Sequence, residues 1–359
     1  MKRNIFVLLL IMFFASCQST KQFGIDYMVP ASVSFPLQLK RVAIVNNVTD
    51  VLNNLPLQEK NAPVGANELA KKTASYFDGI AGSVAESLAE HIAAANYFDE
   101  VLICDSALRA HDVFPRETIL TQEEVMELTE DFGADVILSL EDLRMESVYA
   151  VEAIPDQYAY CGTLDVRIFP RVSIYIPSRS APVATINAAD SIFWERYGST
   201  QASVVPVIPA EQMVKEIIDF AGGIPMKYLI PHWETANRYI YTGGSTEMRD
   251  AAVYVGNDQW EEAYGLWKQA ALSKRKKLQM YAALNIAVYH EMNDKIEEAL
   301  AWAMKAQQLA REVGKIKDET KINDLSDYYH ITFYLSELQI RERNVAVLNI
   351  QTKRFKEEF

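Results

Sequence analysis

The chain reads as an α/β domain with a mixed sheet, followed by an α-helical repeat domain. Three observations carry this reading. Short β-branched runs alternate with amphipathic helical stretches over the first 140 residues. From about Val166 the pattern changes to the two-residue alternation of antiparallel strands. In the last third, Gly256-Asn257-Asp258-Gln259-Trp260-Glu261-Glu262-Ala263 returns 36 residues later as Met292-Asn293-Asp294-Lys295-Ile296-Glu297-Glu298-Ala299.

The elements follow in order. Arg41–Asn47 is a short β-branched run, as expected of a buried strand. Residues 48–66 are polar and carry Asn53-Asn54, Pro56 and Pro63, which predicts a long loop. Val84, Leu88, Ile92 and Ala95 recur at helical spacing and predict a helix over 81–96. Glu100–Cys104 is a second strand. Thr121-Gln122-Glu123-Glu124 has the form of a capping box and opens a helix to Phe132, which Gly133 ends. Ala134–Leu140 is a third strand. Val166–Ile176 and Val183–Trp194, joined by a turn rich in proline and serine, predict an antiparallel hairpin. Ala210–Phe220 is a closing helix, stopped by Gly222-Gly223 and Pro225. In the repeats, small residues mark where helices approach closely: Ala251, Ala263 and Ala270, then Ala287, Ala299 and Ala306. A helix over 323–344 would cap them. Two repeats and a cap cannot cover their own apolar faces and are expected to lean on the α/β domain.

The amino terminus decides location. Met1-Lys2-Arg3-Asn4 is basic, and Ile5–Phe14 is apolar but shorter than the ~20 residues a membrane-spanning helix needs. The segment Phe14-Ala15-Ser16-Cys17 resembles a bacterial lipobox, with Phe14 where leucine is usual. The resemblance implies cleavage before Cys17 and lipidation of its sulfur. Gln18 is not the aspartate of an inner-membrane retention signal, and no acidic cluster follows. By that resemblance the protein is expected on the periplasmic side of an outer membrane. The expected divisions are a signal peptide (1–16), a lipidated cysteine with tether (17–39), the α/β domain (40–240), the repeats (245–345) and a tail (346–359).

Charge excludes some partners. Loss of Lys2 and Arg3 with the signal leaves 33 basic against 48 acidic residues, a net charge of -15. So acidic a body argues against nucleic acid as a partner.

Two further resemblances follow from the residues. "RVAIVNN", "VAESLAEHI…YFDEVLICDS" and "ELTEDFGADVILSLEDL" resemble the α/β domain of the curli secretion lipoprotein, of the lipoprotein activators of penicillin-binding proteins, and of the amino-terminal part of TolB. The 36-residue repeat resembles two tetratricopeptide units, roughly 246–275 and 278–311, although Asp250 stands where an apolar residue is usual and the closing prolines are missing. The whole resembles Bacteroidota-type lipoproteins with carboxy-terminal tetratricopeptide repeats, which implies a location and an architecture but no reaction.

Motifs for chemistry are sparse. There is no H-E-x-x-H, G-x-S-x-G, G-x-x-x-x-G-K-[ST] or G-x-G-x-x-G, and no cofactor or metal is expected. Of the five histidines, His290 and His330 lie on helices, where a core or groove role comes before a ligand role. Glu141, Asp142 and Glu146 follow the third strand and could serve as acid and base. The plainer reading makes them a solvated acidic rim, and the same holds for Asp165 and Asp190. Tyr158, Tyr160, Phe169, Tyr175, Phe193, Trp194 and Tyr197 could form a sugar platform, but sheet packing is the first reading. Cys104 and Cys161 are first read as buried free thiols; a disulfide between them is the alternative that an oxidising compartment would permit. The tetratricopeptide resemblance implies a peptide groove lined by Met248 and Ala252 of the first unit and Tyr281, Leu284, Asn285 and Val288 of the second, with Asn285 suited to bond a peptide backbone.

The function expected from all this is a non-catalytic interaction or assembly factor of the cell envelope. Its partners would be envelope proteins and, through the anchor, the membrane. A subunit of a membrane-assembled secretion ring and a carboxylate-based carbohydrate hydrolase are the alternatives.

Overall fold

The computed structural model describes residues 20–48, the backbone of 69–73, and residues 80–104, 106–109, 119–318, 323 and 326–355. The signal peptide, Cys17 and most of the loop at 48–66 lie outside the described residues. In order, the elements are β1 (Thr20–Val29), β2 (Arg41–Asn46), β3 (Leu69–Thr73), α1 (Ile80–Ala94), β4 (Glu100–Ile103), α2 (Gln122–Phe132), β5 (Val136–Ile154), β6 (Ala159–Tyr175), β7 (Ala184–Asn187) and β8 (Asp190–Gly198). There follow α3 (Ala210–Gly223), α4 (Met226–Leu229), β9 (His232–Tyr241), α5 (Thr246–Gly256), α6 (Trp260–Ala270), α7 (Lys276–Met292), α8 (Ile296–Val313) and α9 (Asp327–Gln351). Strands dominate the first part and helices the last, as the sequence predicts. The chain forms two compact units: Pro30–Pro231 with Ile350–Phe359, and the residues up to Val29 with His232–Asn349. Among the described residues no helix is long and apolar enough to cross a membrane.

The α/β unit is built on a mixed sheet of order β4-β2-β5-β6-β7, with β3 paired to the outer part of β5 and β8 to the outer part of β6. β4, β2 and β5 are parallel; the other pairings are antiparallel. Because strand side chains alternate, β2 serves both faces. Val42 and Ile44 pack with Val84, Leu88 and Ile92 of α1, whereas Ala43 and Val45 pack with Leu120 and with Val125 of α2. The Gly133-Ala134-Asp135 segment has a mechanical role. Gly133 (φ 57°) takes the left-handed conformation that closes α2. The Asp135 carboxylate then accepts the backbone N–H groups of Lys40 and Arg41, at 2.7 and 2.8 Å, and sets the start of β2. The capping box forms as expected: Thr121 Oγ1 accepts from the Glu124 N–H, and Glu124 accepts from the Thr121 N–H.

Two expectations are corrected. The third strand does not stop at Leu140 but runs to Ile154 and makes a long hairpin with β6. A β-bulge between Leu140 and Asp142 leaves Glu141 without a cross-strand partner. The tail at 346–359 is not loose over its described part. Gln351 bonds the backbone of Ala31 and Val33, and Arg354 reaches the carbonyls of Pro36 and Leu39 at 2.5 and 2.7 Å. Cys104, partly buried, and Cys161, buried, are both free, so the alternative of a disulfide between them is not realised. Cys104 follows β4, and Cys161 lies on β6 with β2 and β5 between. At ~4.8 Å per strand that separation, about 14 Å, exceeds the ~7 Å a disulfide can bridge.

The helical unit corrects the tether as well. Thr20–Val29 is a strand, paired along its whole length with β9 as an antiparallel ribbon. Gly24 permits the close approach, since a Cβ there would meet Thr235 Cγ2 at 2.7 Å. The ribbon supplies the cover that the helices need: Ile25, Ile240 and Tyr241 join one core with α5–α9. The 36-residue repeat recurs in the backbone of its turn. Gln259 N–H bonds Tyr254 O as Lys295 N–H bonds His290 O, and Asp258 and Asp294 share a left-handed conformation (φ 60° and 55°). All six alanines singled out in the repeats are buried.

Candidate functional site

The groove residues meet a strand of their own chain. Leu284, Asn285 and Val288 of α7 and Met248 of α5 are fully buried, and Tyr281 and Ala252 are half-buried. Asn285 Oδ1 accepts the Tyr241 N–H and Asn285 Nδ2 donates to the Tyr241 carbonyl, both at 2.8 Å. The Tyr281 ring stacks on the Tyr241 ring at 3.7 Å. Asn285 therefore does bond an extended backbone, but that backbone is β9. An amide side chain can satisfy both backbone groups of one strand residue, which is why asparagine suits the position.

Behind β9 lies an ionic network that sequence reasoning missed. Arg238 is buried and forks onto Glu291 through Nε and Nη2 at 2.8 and 2.9 Å. Its Nη1 reaches Glu337 at 2.8 Å and the Asn237 carbonyl at 3.3 Å. Arg341 Nη1 adds a 2.7 Å bond to Glu291. Two arginines and two glutamates balance, as buried charges must. Burial works to lower the pKa of Arg238, but the bond to Glu291 and the charges of Glu291 and Glu337 outweigh it and raise it. The available signal was a lone glutamate in the apolar run of α7; its partners are 53 and 50 residues away.

Beside the network the ribbon and helices leave space. A cavity of about 470 Å³ is lined by β9 from Glu234 to Tyr239, by Leu284 and Val288, and by His330, Phe333, Tyr334 and Glu337 of α9. A second, about 320 Å³, lies between Trp233, Asp294 and the later turns of α9; Tyr27 is a wall of both. The Arg341 guanidinium sits 4.5 Å over the Tyr27 ring. The Tyr334 hydroxyl is buried without a well-formed hydrogen bond.

The sequence carboxylates gather elsewhere, at the carboxyl end of the parallel strands. Glu141 is not part of a solvated rim. It is 3% exposed, and its two oxygens accept from the Tyr175 hydroxyl and, at 2.8 Å, from Ser173 Oγ. Burial raises its pKa, and the bonds from Tyr175 and Ser173 only partly offset this. Near it Arg109 Nε donates to Asn47 Oδ1 at 2.8 Å and Nη1 to Glu124 at 2.7 Å. Burial alone would raise the Glu124 carboxyl; the bonds from Arg109 and Thr121 bring it below the ordinary value. Asp142 and Glu146 lie opposite Arg171 and Arg167 across the β5–β6 ladder. With both oxygens of Glu141 engaged inside the protein, its present contacts are those of a structural tie.

The remaining candidates divide. Tyr175 is buried, and Trp194 Nε1 donates to Glu216 at 2.6 Å. Tyr158, Phe193 and Tyr197 are exposed, so packing does not account for the whole aromatic run. Asp190 pairs with Lys227 and Asp165 lies near Arg167. His290 is buried, which lowers its pKa, and His330 lines the larger cavity. Among the described residues no group of three or more His, Cys, Asp or Glu is placed to hold a metal ion.

No curated protein matches the chain. Residues 249–340, most of α5–α9, match a domain of unknown function, DUF6340. A second model, the domain of unknown function DUF8603, matches residues 39–241, from just before β2 to the last residue of β9. Since that match spans more than half of the sequence, the chain belongs to the DUF8603 family.

Proposed function

We propose that this protein is a lipid-anchored envelope factor that works by binding other polypeptides rather than by catalysis. The observation that carries the reading is the Asn285 clamp. A helical surface built on a 36-residue repeat already holds an extended backbone by both its N–H and its C=O, with a cavity continuing beside it. The resemblance of the repeats to tetratricopeptide units supports the same reading, as does the lipobox-like Phe14-Ala15-Ser16-Cys17 for attachment, with the periplasmic face of an outer membrane as the proposed site. A triacylated cysteine would hold firmly, at ~0.8 kcal/mol per buried CH2. The ring reading needs strands with a lipid-facing apolar band. The β5–β6 hairpin instead sets Asp142 against Arg171 and Glu146 against Arg167 on one face and packs its other face into the core.

Two experiments test the proposal. Cells fed an alkyne palmitate analogue should label the wild-type chain and not Cys17→Ser; an unlabelled wild type would remove the anchor. Capture of the intact protein from crosslinked envelopes should then return one stoichiometric protein partner. Recovery of the chain alone would remove the interaction reading.

A further inference from the structure

β9 has one paired edge and one open edge. The ribbon contains only β1 and β9 among the described residues. The Asn285 clamp shows which way the backbone points: the N–H and C=O of Tyr241 face away from β1. In an antiparallel ladder this direction alternates residue by residue, and the register runs without a break from Tyr241 to His232. Thr235, Asn237 and Tyr239 therefore present their backbone groups to the same open edge. Of these, the Asn237 carbonyl takes a long contact from Arg238. All three residues line the larger cavity, whose far wall is α9. The smaller cavity continues along α9 past Tyr27. Beside Thr235–Tyr239 the α9 wall runs from His330 to Glu337, about 10 Å at 1.5 Å per residue. That length accepts about three residues of extended chain.

The walls state what such a chain should carry. Phe333 is exposed in the wall, so a side chain entering the trough meets apolar surface there. The charges are unequal. Four carboxylates, Glu234, Glu291, Asp294 and Glu337, stand against the two guanidiniums of Arg238 and Arg341, although Arg341 also reaches Asp294 at 3.4 Å and His232 lies 3.2 Å from Glu234. We propose that the trough between β9 and α9 receives an extended, basic polypeptide segment that adds as a third strand to β9. This rests on the interaction reading above and specifies its site and its partner's chemistry. Backbone bonds would supply affinity, and the alternate pockets specificity.

The test uses the full chain and a fluorescein-labelled ten-residue peptide of alternating valine and lysine, followed by fluorescence anisotropy. Two control peptides replace lysine by glutamate or N-methylate every second backbone nitrogen. Binding of the first peptide, at least tenfold weaker for both controls, is expected. Hydrogen exchange should slow at Thr235, Asn237 and Tyr239 on peptide addition, while the N–H groups of Ala236 and Arg238 are slow already. Thr235→Pro removes an edge donor, at a position where strands accept proline, together with the exposed bond from the Thr235 hydroxyl to Asp26, which Thr235→Val removes alone as a control. Thr235→Pro should keep the unfolding midpoint and lose the peptide at least tenfold; Phe333→Arg, which fills and charges the trough, should do the same. No binding, binding indifferent to N-methylation, or no new protection along β9 overturns the proposal. If crosslinked capture still returns a stoichiometric partner with Thr235→Pro, strand addition falls and the interaction reading stands. If the peptide binds as expected but capture returns the chain alone, the reverse holds.

Discussion

Glu141 shows what one misplaced residue in a ladder can do. The bulge turns it into the polar cluster with Ser173, Tyr175 and Arg109 instead of leaving it on a solvated strand. Burial raises its pKa above the ordinary 4.5 despite those bonds. A carboxyl with a raised folded pKa holds more protons folded than unfolded across that interval. Stability contributed by the neutral form is thus present below 4.5 and lost as the pH rises through the folded value. Glu141→Gln keeps an acceptor for Tyr175 and cannot ionise. Urea unfolding at several pH values should show the variant gaining on the wild type as the pH climbs from about 4 to 7; a constant difference would mean that Glu141 does not titrate with folding. In the sequence, Glu141 was visible as a candidate carboxylate. Its burial was not, because the bulge shifts the apolar alternation from Leu138 and Leu140 to Leu143 and Met145, which reads as the end of one strand until the ladder is in place.

Among the elements, β9 depends most on others. One edge rests on β1, and its end is held by Asn285. Asn285→Ala would leave the buried N–H and C=O of Tyr241 unpaired and should cost roughly 2–6 kcal/mol at 1–3 kcal/mol for each orphaned group. Urea unfolding reads the loss, and hydrogen exchange at Tyr241 should accelerate with it. An unchanged midpoint would mean that water replaces the clamp. The chemistry of Asn285 was legible from its place in the repeat, but its occupant was not. Thr20–Val29 has scattered polar residues and a central glycine, and reads as a tether until its partner 210 residues away is in place. The helices were easier, because their caps and small-residue contacts are local: Thr121, Gly133 and the six alanines all act within a turn or one neighbouring helix.

For the molecule as a whole, the domain order drawn from the sequence held only coarsely. Each unit is assembled from segments far apart in the chain. In the α/β unit the distant segment is short. Gln351 bonds Ala31, Val33 and Ser34, and Arg354 lies over the rings of Tyr97 and Phe98. A full chain ending at Asn349 should lose roughly 2–4 kcal/mol in that unit, several hydrogen bonds at about 1 kcal/mol each. Faster hydrogen exchange along β2 would register it, and exchange at the wild-type rate would show the segment to be ornamental.

That terminal clasp also governs timing. A polypeptide is made from its amino end, so the residues that Gln351 and Arg354 grip are synthesised more than two hundred and fifty positions before their partners exist. Until Gln351 and Arg354 emerge, the backbone carbonyls of Ala31, Val33 and Leu39 lack these partners, so the clasp is a late tie of the α/β unit to form during synthesis.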